Sequence, residues 1–204
     1  MRTVEMKVYK FDELSDSAKD KAREWFRGTI EPDDYAESVL DDANTIAQLF
    51  GLEIGTRTVK LMGGGSRQEP EIYFDLGRGS GVYFSWSYQY KPGALAAVKG
   101  YAGQDEALHK IVADLQAIQK KNFYQLQASG EIRDRSYNTC EVDRLDDKEP
   151  TADALQEVED CIYQFSNWIL SNLQKEYDYV NSDESVDENI RINEYEFTAE
   201  GEIM

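Results

Sequence analysis

Residues 74–88 read FDLGRGSGVYFSWSY, and this stretch decides the fold class. The segments on either side of its glycines alternate apolar and polar side chains with a period of two, which is typical of half-buried strands. Gly77, Gly79 and Gly81 lie between these segments, where a hairpin turn needs positive φ angles. The stretch therefore predicts an antiparallel β-hairpin.

A glycine-rich loop can also bind a phosphate group, but the spacing here does not fit the known motifs. A dinucleotide loop requires G-x-G-x-x-G, and its last position is Val82 in this chain. No Lys-Ser/Thr pair follows the glycines, as a P-loop requires. We therefore predict no cofactor. The tip residue Arg78 stays a candidate for partner contact, with an anion-binding nest around it as the alternative.

Outward from the hairpin, the hydrophobic period changes several times between 3.6 and 2. The predicted strands lie near 2–11, 56–62, 71–77, 81–90, 123–130, 134–143 and 190–198, and the predicted helices near 15–28, 33–50, 94–101, 104–121 and 151–179. Helices do not alternate one for one with strands, so a doubly wound parallel sheet is disfavoured. We predict a single α+β domain over 1–204, with an antiparallel or mixed sheet of six or seven strands, four or five packed helices and one long C-terminal helix.

The charge of the chain is strongly negative and unevenly distributed. The formal net charge is −18. Residues 141–204 hold 19 acidic and 4 basic residues, against 21 and 18 in residues 1–140. Such a charge repels nucleic acid and anionic membranes and favours a basic protein partner. Acidity that serves only solubility is the alternative.

Two predicted helices carry acidic side chains that could imitate a phosphate backbone. We predict these residues as partner-binding: Asp33, Asp34, Glu37, Asp41 and Asp42 on the helix at 33–50, and Asp153, Glu157 and Asp160 on the helix at 151–179. Acidic helices are common, so this pattern has low specificity for function.

Groups for catalysis or metal binding are scarce in the sequence. The single histidine, His109, lies on a predicted helix and is interpreted as a packing residue. Cys140 and Cys161 are too few for a four-ligand zinc site and are interpreted as buried thiols. Residues 181–189 place oxygen atoms at alternate positions as a calcium loop does, but they lack its glycine and closing glutamate, so a solvated acidic connection is preferred. We predict no enzyme activity and no metal.

The sequence also predicts where the protein is found. No apolar run approaches the roughly 18 residues that a membrane span needs. The N-terminal stretch MRTVEMKVYKF alternates charged and apolar residues, which favours a strand over a signal peptide. We expect a soluble protein of the cytoplasm that contacts no membrane.

Three segments together resemble a group of phage and prophage accessory proteins. They are KFDELSDSAKDKAREWF near the start, KPGALAAVKGYAGQDEALHKI in the middle and VNSDESVDENIRINEYEFTAEGE at the end. Proteins of this group are mostly called hypothetical, and some are labelled antitoxins of a toxin–antitoxin stability system. The resemblance implies a bacterial or phage source and an accessory role, and it supplies no catalytic residues. Where relatives tend to have an SQGDGA-like segment, this chain has GRGSGV.

Two functions in the binding class follow from charge and resemblance. The first is an anti-defence inhibitor that binds a basic host protein stoichiometrically, such as a defence nuclease or effector of the CRISPR or restriction type, as a nucleic-acid mimic. The alternative is an antitoxin that neutralises a toxin by direct binding. An enzyme or metal-binding module is the least favoured function.

Overall fold

In the computed structural model, which describes residues 7–133 and 138–204, the chain forms six α-helices and nine strands. The helices are α1 (Asp16–Arg27), α2 (Pro32–Phe50), α3 (Ala94–Tyr101), α4 (Glu106–Lys121), α5 (Ala154–Val180) and α6 (Asp183–Ile192). The strands are β1 (Tyr9–Lys10), β2 (Leu52–Ile54), β3 (Thr56–Lys60), β4 (Ser66–Pro70), β5 (Tyr73–Asp75), β6 (Gly81–Gln89), β7 (Leu126–Ile132), β8 (Thr139–Arg144) and β9 (Glu196–Phe197). The predicted α+β class and the long C-terminal helix are confirmed.

The described strands form three separate sheets, and every described pairing is antiparallel. The largest has the order β2-β6-β7-β8, with β5 also paired to β6. The strands β3 and β4 form a hairpin, and β1 pairs with β9. The additional strands relative to the prediction are short ones such as β2, whose three residues are too few for a periodic signal.

The contacts between residues divide the chain into two compact units. Unit 1 comprises residues 1–37 and 175–204, and unit 2 comprises residues 38–174. The boundaries fall within α2 and within α5. That the chain folds as a single domain stays a prediction.

Unit 2 is built around β6, whose side chains alternate between a buried and an open face. Val82, Phe84, Trp86 and Tyr88 are at most 5% exposed, as the period of two predicts. Helices cover this buried face. The Ser166 hydroxyl on α5 donates a hydrogen bond to the Val82 carbonyl at 3.1 Å.

Two polar clamps fix the helices of unit 2 around its apolar core. The Gln119 side chain at the end of α4 forms two hydrogen bonds with the backbone of Leu126, at 2.9 and 3.1 Å. The indole of Trp168 on α5 donates to Asp105, which also caps α4 through Leu108 N–H. Each clamp gives the polar side chains and backbone groups involved a hydrogen-bond partner within the protein. These groups can therefore be shielded from water without losing their hydrogen bonds.

The hairpin predicted at 71–90 is present as β5 and β6. Gly77, Gly79 and Gly81 were predicted to have positive φ angles, but none of the three has one. They provide space instead. The Asp75 carboxylate accepts from Gly77 N–H at 2.7 Å, and the Tyr83 hydroxyl donates to the Gly79 carbonyl at 2.8 Å. A Cβ atom on Gly81 would lie 2.6 Å from the Tyr83 hydroxyl oxygen. The tip is therefore closed by its own side chains.

The core of unit 1 joins both ends of the chain. Its buried residues come from the 3-10 turn at 11–13 with its C-cap residue and from α1, α6 and β9: Phe11, Leu14, Ala18, Ala22, Val186, Ile190 and Phe197. Trp25 packs edge-on against Phe197 at 5.9 Å between ring centroids. Ser15 occupies the N-cap position of α1 as predicted, although its side chain makes no capping hydrogen bond.

A bidentate ion pair connects α1 to α6 in unit 1. The Arg23 guanidinium donates to both carboxylate oxygens of Asp187, at 2.7 and 2.8 Å. The two side chains are only 18% and 15% exposed. The carboxylate raises the pKa of Arg23 above its ordinary value through this hydrogen bond. Partial burial makes the pair stronger than an exposed one.

Helix α6 replaces most of the acidic connection predicted at 181–189 and the first three residues of the strand predicted at 190–198, of which only β9 remains a strand. Ser182 caps the helix by accepting from Ser185 N–H, and Asp183 and Glu184 occupy its first turn. Val186 and Ile190 are spaced four residues apart and are buried, whereas Ile192 is 70% exposed. Ile190 therefore belongs to the buried face of a helix and Ile192 to its exposed face, although their spacing of two resembles that of a strand.

Two predicted strands lie partly outside the residues that the structure describes. Residues 2–6 of the first strand and residues 134–137 of the sixth lie outside the described residues. Among the described helices, none combines the length and the apolar character needed to cross a bilayer.

Replacement of Gly130 by alanine should destabilise the protein. A Cβ at this position would lie 2.0 Å from the Thr139 carbonyl oxygen and 2.9 Å from the Trp86 ring, so the β7–β8 pairing would have to shift. We expect a loss of about 2–3 kcal/mol in the free energy of unfolding, measured by urea denaturation. Gly100→Ala is the control. Gly100 lies in α3 with nothing near its Cβ position, so alanine should gain up to about 1 kcal/mol. Equal stability of both variants would contradict the close approach.

Neutralisation of Asp187 should weaken unit 1. Asp187→Asn removes the bidentate carboxylate partner of the largely buried Arg23 guanidinium and leaves only the exposed Asp20 beside it, and we expect a loss of about 2 kcal/mol in the free energy of unfolding. Asp20→Asn removes an acid that also pairs with Arg23 but is 72% exposed. It should cost less than about 0.5 kcal/mol. A similar loss in both variants, measured by the same denaturation, would show that the buried pair has no special strength.

Candidate functional site

The sheet of unit 2 has one face that helices do not cover. On β6, Ser85, Ser87 and Gln89 are exposed and alternate with the buried residues. An antiparallel sheet commonly packs one face on the core and leaves the other to solvent. Any partner of this sheet would therefore bind on the open face.

The strand register brings polar side chains into a row across this face. Glu53, Ser87, Ser129 and Glu141 are consecutive register partners on β2, β6, β7 and β8. Neighbouring strands lie about 4.8 Å apart, so the two glutamates at the ends of the row are separated by about 14 Å.

A second row runs beside the first and encloses a hollow. Gln89, Gln127 and Asp143 are register partners on β6, β7 and β8. Small serines lie in the middle and longer acids at the sides, and the space above them is a cavity of about 450 Å³. We call this surface the acidic trough, defined by Glu53, Ser87, Gln89, Gln127, Ser129, Glu141 and Asp143.

The three carboxylates of the acidic trough are exposed and have no charged partner among the described residues. Within residues 7–133 and 138–204, no ion pair or side-chain hydrogen bond involves Glu53, Glu141 or Asp143. Their neighbour Glu131 differs, because it pairs with Arg133. Free carboxylates on rigid strands present a fixed negative potential to the solvent.

Further hollows adjoin the acidic trough on the same sheet. One of about 440 Å³ lies at the other end of β6, where Tyr73, Tyr83 and Arg133 form its wall. Another, of about 1000 Å³, extends from β2 to Gln68 and Pro70 of β4. The open face is thus concave over much of its length.

The acids predicted on α2 differ in their roles. Asp34 accepts a hydrogen bond from Glu31 N–H at 2.8 Å and so closes the N-terminus of the helix. Asp42 accepts a hydrogen bond from the Tyr101 hydroxyl. Asp33, Glu37 and Asp41 are exposed and follow one another at four-residue steps, about 6 Å along the helix. These three are the α2 acids most accessible to a partner.

The acids predicted at the start of α5 serve mainly within the fold. The Lys121 ammonium lies 2.5 Å from Glu157 and 3.6 Å from Asp153. A hydrogen bond from the Thr151 side chain, more than the lysine, lowers the pKa of Asp153. Asp160 is exposed and accepts from Gln156 at 2.9 Å. Asp153 and Glu157 are therefore already neutralised by a base.

Arg78 is exposed at the tip of the β5–β6 hairpin. Two of the backbone N–H groups in the turn around it are engaged. Gly77 N–H donates to Asp75, and Ser80 N–H donates to the Gly77 carbonyl at 3.1 Å. The Asp75 carboxylate lies where an anion would bind, so the alternative of a phosphate nest around Arg78 is disfavoured.

The remaining predicted chemical groups are engaged in structure. The His109 ring donates to the Ala102 carbonyl at 2.8 Å and ties α4 to the preceding turn. Asp183 and Asp187 of the calcium-like stretch pair with Arg27 and Arg23. In the described parts of the chain, no group of three or more His, Cys, Asp or Glu side chains is arranged to hold a metal ion.

Local sequence patterns did not predict the acidic trough. The alternation Ser85–Ser87–Gln89 marked a polar face of β6, and this was its only local signal. The rims of the trough are formed by Glu53 on β2 and by Glu141 and Asp143 on β8. Glu53 and Glu141 are 88 positions apart along the chain, and the strand register brings them into one row.

Both cysteines are free, and Cys161 is buried as predicted, whereas Cys140 is only half-buried. Burial raises the pKa of Cys140 to about 11 and that of Cys161 to about 12. Nearby carboxylates, Glu159 for Cys140 and Asp114 for Cys161, add to the effect. The thiolate is the nucleophilic form, so neither cysteine is suited to nucleophilic chemistry at neutral pH.

Alkylation by iodoacetamide should therefore be slow in the folded protein. At pH 8 we expect a rate below that of the urea-unfolded chain by about a hundredfold for Cys140 and about a thousandfold for Cys161, because each raised pKa reduces the thiolate fraction. The folded rate should keep increasing through pH 10, whereas the unfolded rate should level off near pH 9. Mass spectrometry of each cysteine peptide gives both rates. Rapid modification at pH 7 would contradict the raised values.

Comparison with known proteins gives a family but no described activity. No curated protein and no solved structure matches the chain. One family model matches residues 35–183, which is more than half of the chain and includes all of unit 2 with its acidic trough. The chain belongs to the family described as a domain of unknown function, DUF8835.

Proposed function

We propose that the protein is a non-catalytic binding protein that takes a basic segment of a partner protein into its acidic trough. The observation that carries this proposal is the set of exposed rim carboxylates, Glu53, Glu141 and Asp143, which have no described partner within the chain. Charges left unpaired on a concave, rigid surface are suited to pair with bases from another molecule.

The dimensions of the acidic trough fit an α-helix of the partner. The rims are about 14 Å apart, and a helix with its side chains is about 10–12 Å wide. The serines of the floor leave room for the helix, and lysine or arginine side chains on its two flanks would reach the rims. We therefore propose a basic helix as the bound segment.

The electrostatics of the whole chain support a basic partner over an anionic one. A net charge of −18 attracts basic surfaces and repels nucleic acid. On β8, Glu141 and Asp143 lie on the same face about 7 Å apart, as a repeated row of charges. Such a row can occupy a site that otherwise binds phosphates, so the favoured partner is a nucleic-acid-binding protein.

The identity of the partner rests on the phage-like resemblance alone. An inhibitor of a defence nuclease or effector and an antitoxin would use the same surface physics. They differ in the partner, because an antitoxin silences a toxin encoded beside it, whereas an inhibitor restores phage growth in a plaque assay. We favour the inhibitor, in a bacterial cytoplasm.

The test compares two variants with equal changes of charge. Glu53→Gln/Glu141→Gln/Asp143→Asn neutralises the acidic trough, and Asp33→Asn/Glu37→Gln/Asp41→Asn neutralises the exposed acids of α2. Proteins captured from bacterial lysate by the wild type are identified, purified and titrated against all three forms. We expect the trough variant to bind about tenfold more weakly near 0.05 M salt, since each exposed charge pair contributes up to about 1 kcal/mol.

The α2 variant is the matched control and should bind as the wild type does. Increasing the salt to about 0.5 M should reduce the difference between the wild type and the trough variant, because screening weakens exposed charge pairs. Equal loss in both variants would mean that only total charge matters. Loss in the α2 variant alone would place the binding surface on that helix and overturn the trough as the site.

A further inference from the structure

The open face of the sheet in unit 2 continues along β6 beyond the acidic trough. Tyr83 precedes Ser85 on this face, because both alternate with the buried residues of the strand. Tyr73 on β5 is the register partner of Tyr83 and so lies on the same face. The hollow of about 440 Å³ at this end of β6 is the tyrosine hollow, defined by Tyr73, Tyr83, Ser85, Glu131 and Arg133.

Two observations join the tyrosine hollow to the acidic trough. The register pairs Ser85 with Glu131, and the next pair on the same face is Ser87 with Ser129, which belongs to the trough. The hollow of about 1000 Å³ beside β2 is also lined by Ser85, together with Glu53 and Ser87 of the trough. The three hollows therefore share lining residues and follow one another along β6.

The polar groups of the tyrosine hollow are already paired, unlike the carboxylates of the trough. Glu131 pairs with Arg133. The Tyr73 hydroxyl donates to the Glu71 carboxylate at 2.7 Å, and the Tyr83 hydroxyl donates to a carbonyl within the hairpin tip at 2.8 Å. These hydrogen bonds hold both rings in place, and Tyr73 is 55% exposed. The hollow therefore offers a partner the surface of fixed rings rather than a free charge.

We propose that the tyrosine hollow receives one apolar side chain of the basic helix that the acidic trough binds. This inference rests on the proposed function. The trough carboxylates identify the occupant by charge complementarity, and a helix of more than about 14 residues laid along β6 passes over both surfaces. Tyrosine is enriched among interface hot spots, and its ring offers a large contact area at a low cost in conformational entropy. The Arg133 guanidinium in the wall disfavours a base at this end.

The strand geometry sets the spacing between the apolar side chain and the bases of the partner helix. Along β6, Tyr83 is four residues from the first row of the trough and six from the second, which are distances of about 14 and 20 Å. A helix advances about 1.5 Å and turns about 100° per residue. Bases 8, 10 and 15 residues from the apolar one therefore lie about 12, 15 and 22 Å away. The first and third are on one flank, as Glu141 and Asp143 are, and the second is on the other, as Glu53 is.

The binding probes are three synthetic helical peptides of about 22 residues, built on alanine and glutamine, with lysine at positions 12, 14 and 19. The first has leucine at position 4, and the second has glutamine there. The third has the leucine at position 6, which turns it by about 200° around the helix and away from the sheet. Titration of the full chain near 0.05 M salt should show that the first peptide binds about fivefold more tightly than the other two.

Variants of the protein assign that preference to the tyrosine hollow. Tyr73→Ala should bind all three peptides equally, with the affinity of the glutamine peptide unchanged. Tyr73→Phe keeps the ring and should keep the preference for the first peptide. Tyr179→Ala is the matched control, because it removes a ring that is 60% exposed on α5, and it should bind as the wild type does. The trough-neutralised variant should bind all three peptides about tenfold more weakly.

The outcomes separate the two proposals. If the trough variant weakens binding but the wild type binds the two leucine peptides equally, the tyrosine hollow is not the apolar site and the trough stands. If the trough variant binds all three peptides normally, the proposed function fails. Equal weakening of all three peptides by Tyr73→Ala would show that the ring only supports the sheet. Loss of the preference in Tyr179→Ala as well would place the leucine outside the hollow. Either result overturns the inference.

Discussion

The pairing of β6 between two sets of antiparallel neighbours is the constraint on which unit 2 depends. Because side chains alternate along a strand, the burial of Val82, Phe84, Trp86 and Tyr88 fixes Ser85, Ser87 and Gln89 on the opposite face. A slip of one residue would exchange the two faces, so the apolar core dictates the register. That register then aligns Glu53 with Glu141. The acidic trough is thus a consequence of how the core is packed.

The acidic side chains of this protein have two roles: some form contacts that stabilise the fold, and others are exposed without a described partner. Asp187, Asp34 and Glu157 pair with bases or cap helices inside the molecule, whereas Glu53, Glu141 and Asp143 have no described partner. The local excess of acidic residues in the sequence does not show which carboxylates are left without a partner. The last third holds the greatest excess of acid, yet several of its carboxylates are neutralised by Arg23, Lys121 or Arg144. Net charge therefore gives the sign of a partner but not the surface that binds it.

The sequence predicted what local periodicity encodes and missed what distant pairing creates. The β5–β6 hairpin, α2 and α4 have long regular patterns, and the α+β class follows from their order. Helix α6 was missed because Ile190 and Ile192 imitate alternation, and only contacts with Phe11 and Ala22 show which isoleucine is buried. The acidic helices were predicted from local clusters of charge. The trough combines residues from four strands, and no local pattern contains that information.

The end of α4 shows how a local cost indicates a surface role. Phe123 follows this helix with a left-handed φ of 57°. Glycine at this position would have no Cβ in the left-handed region, so folding alone favours glycine there. The chain instead holds Phe123 in place through Asn122 and leaves most of its ring in water. Within unit 2 the ring lies over the Arg144 guanidinium, a contact worth about 0.5–1 kcal/mol at an exposed site. Burial of the ring by another molecule would recover the hydrophobic free energy that folding leaves unused.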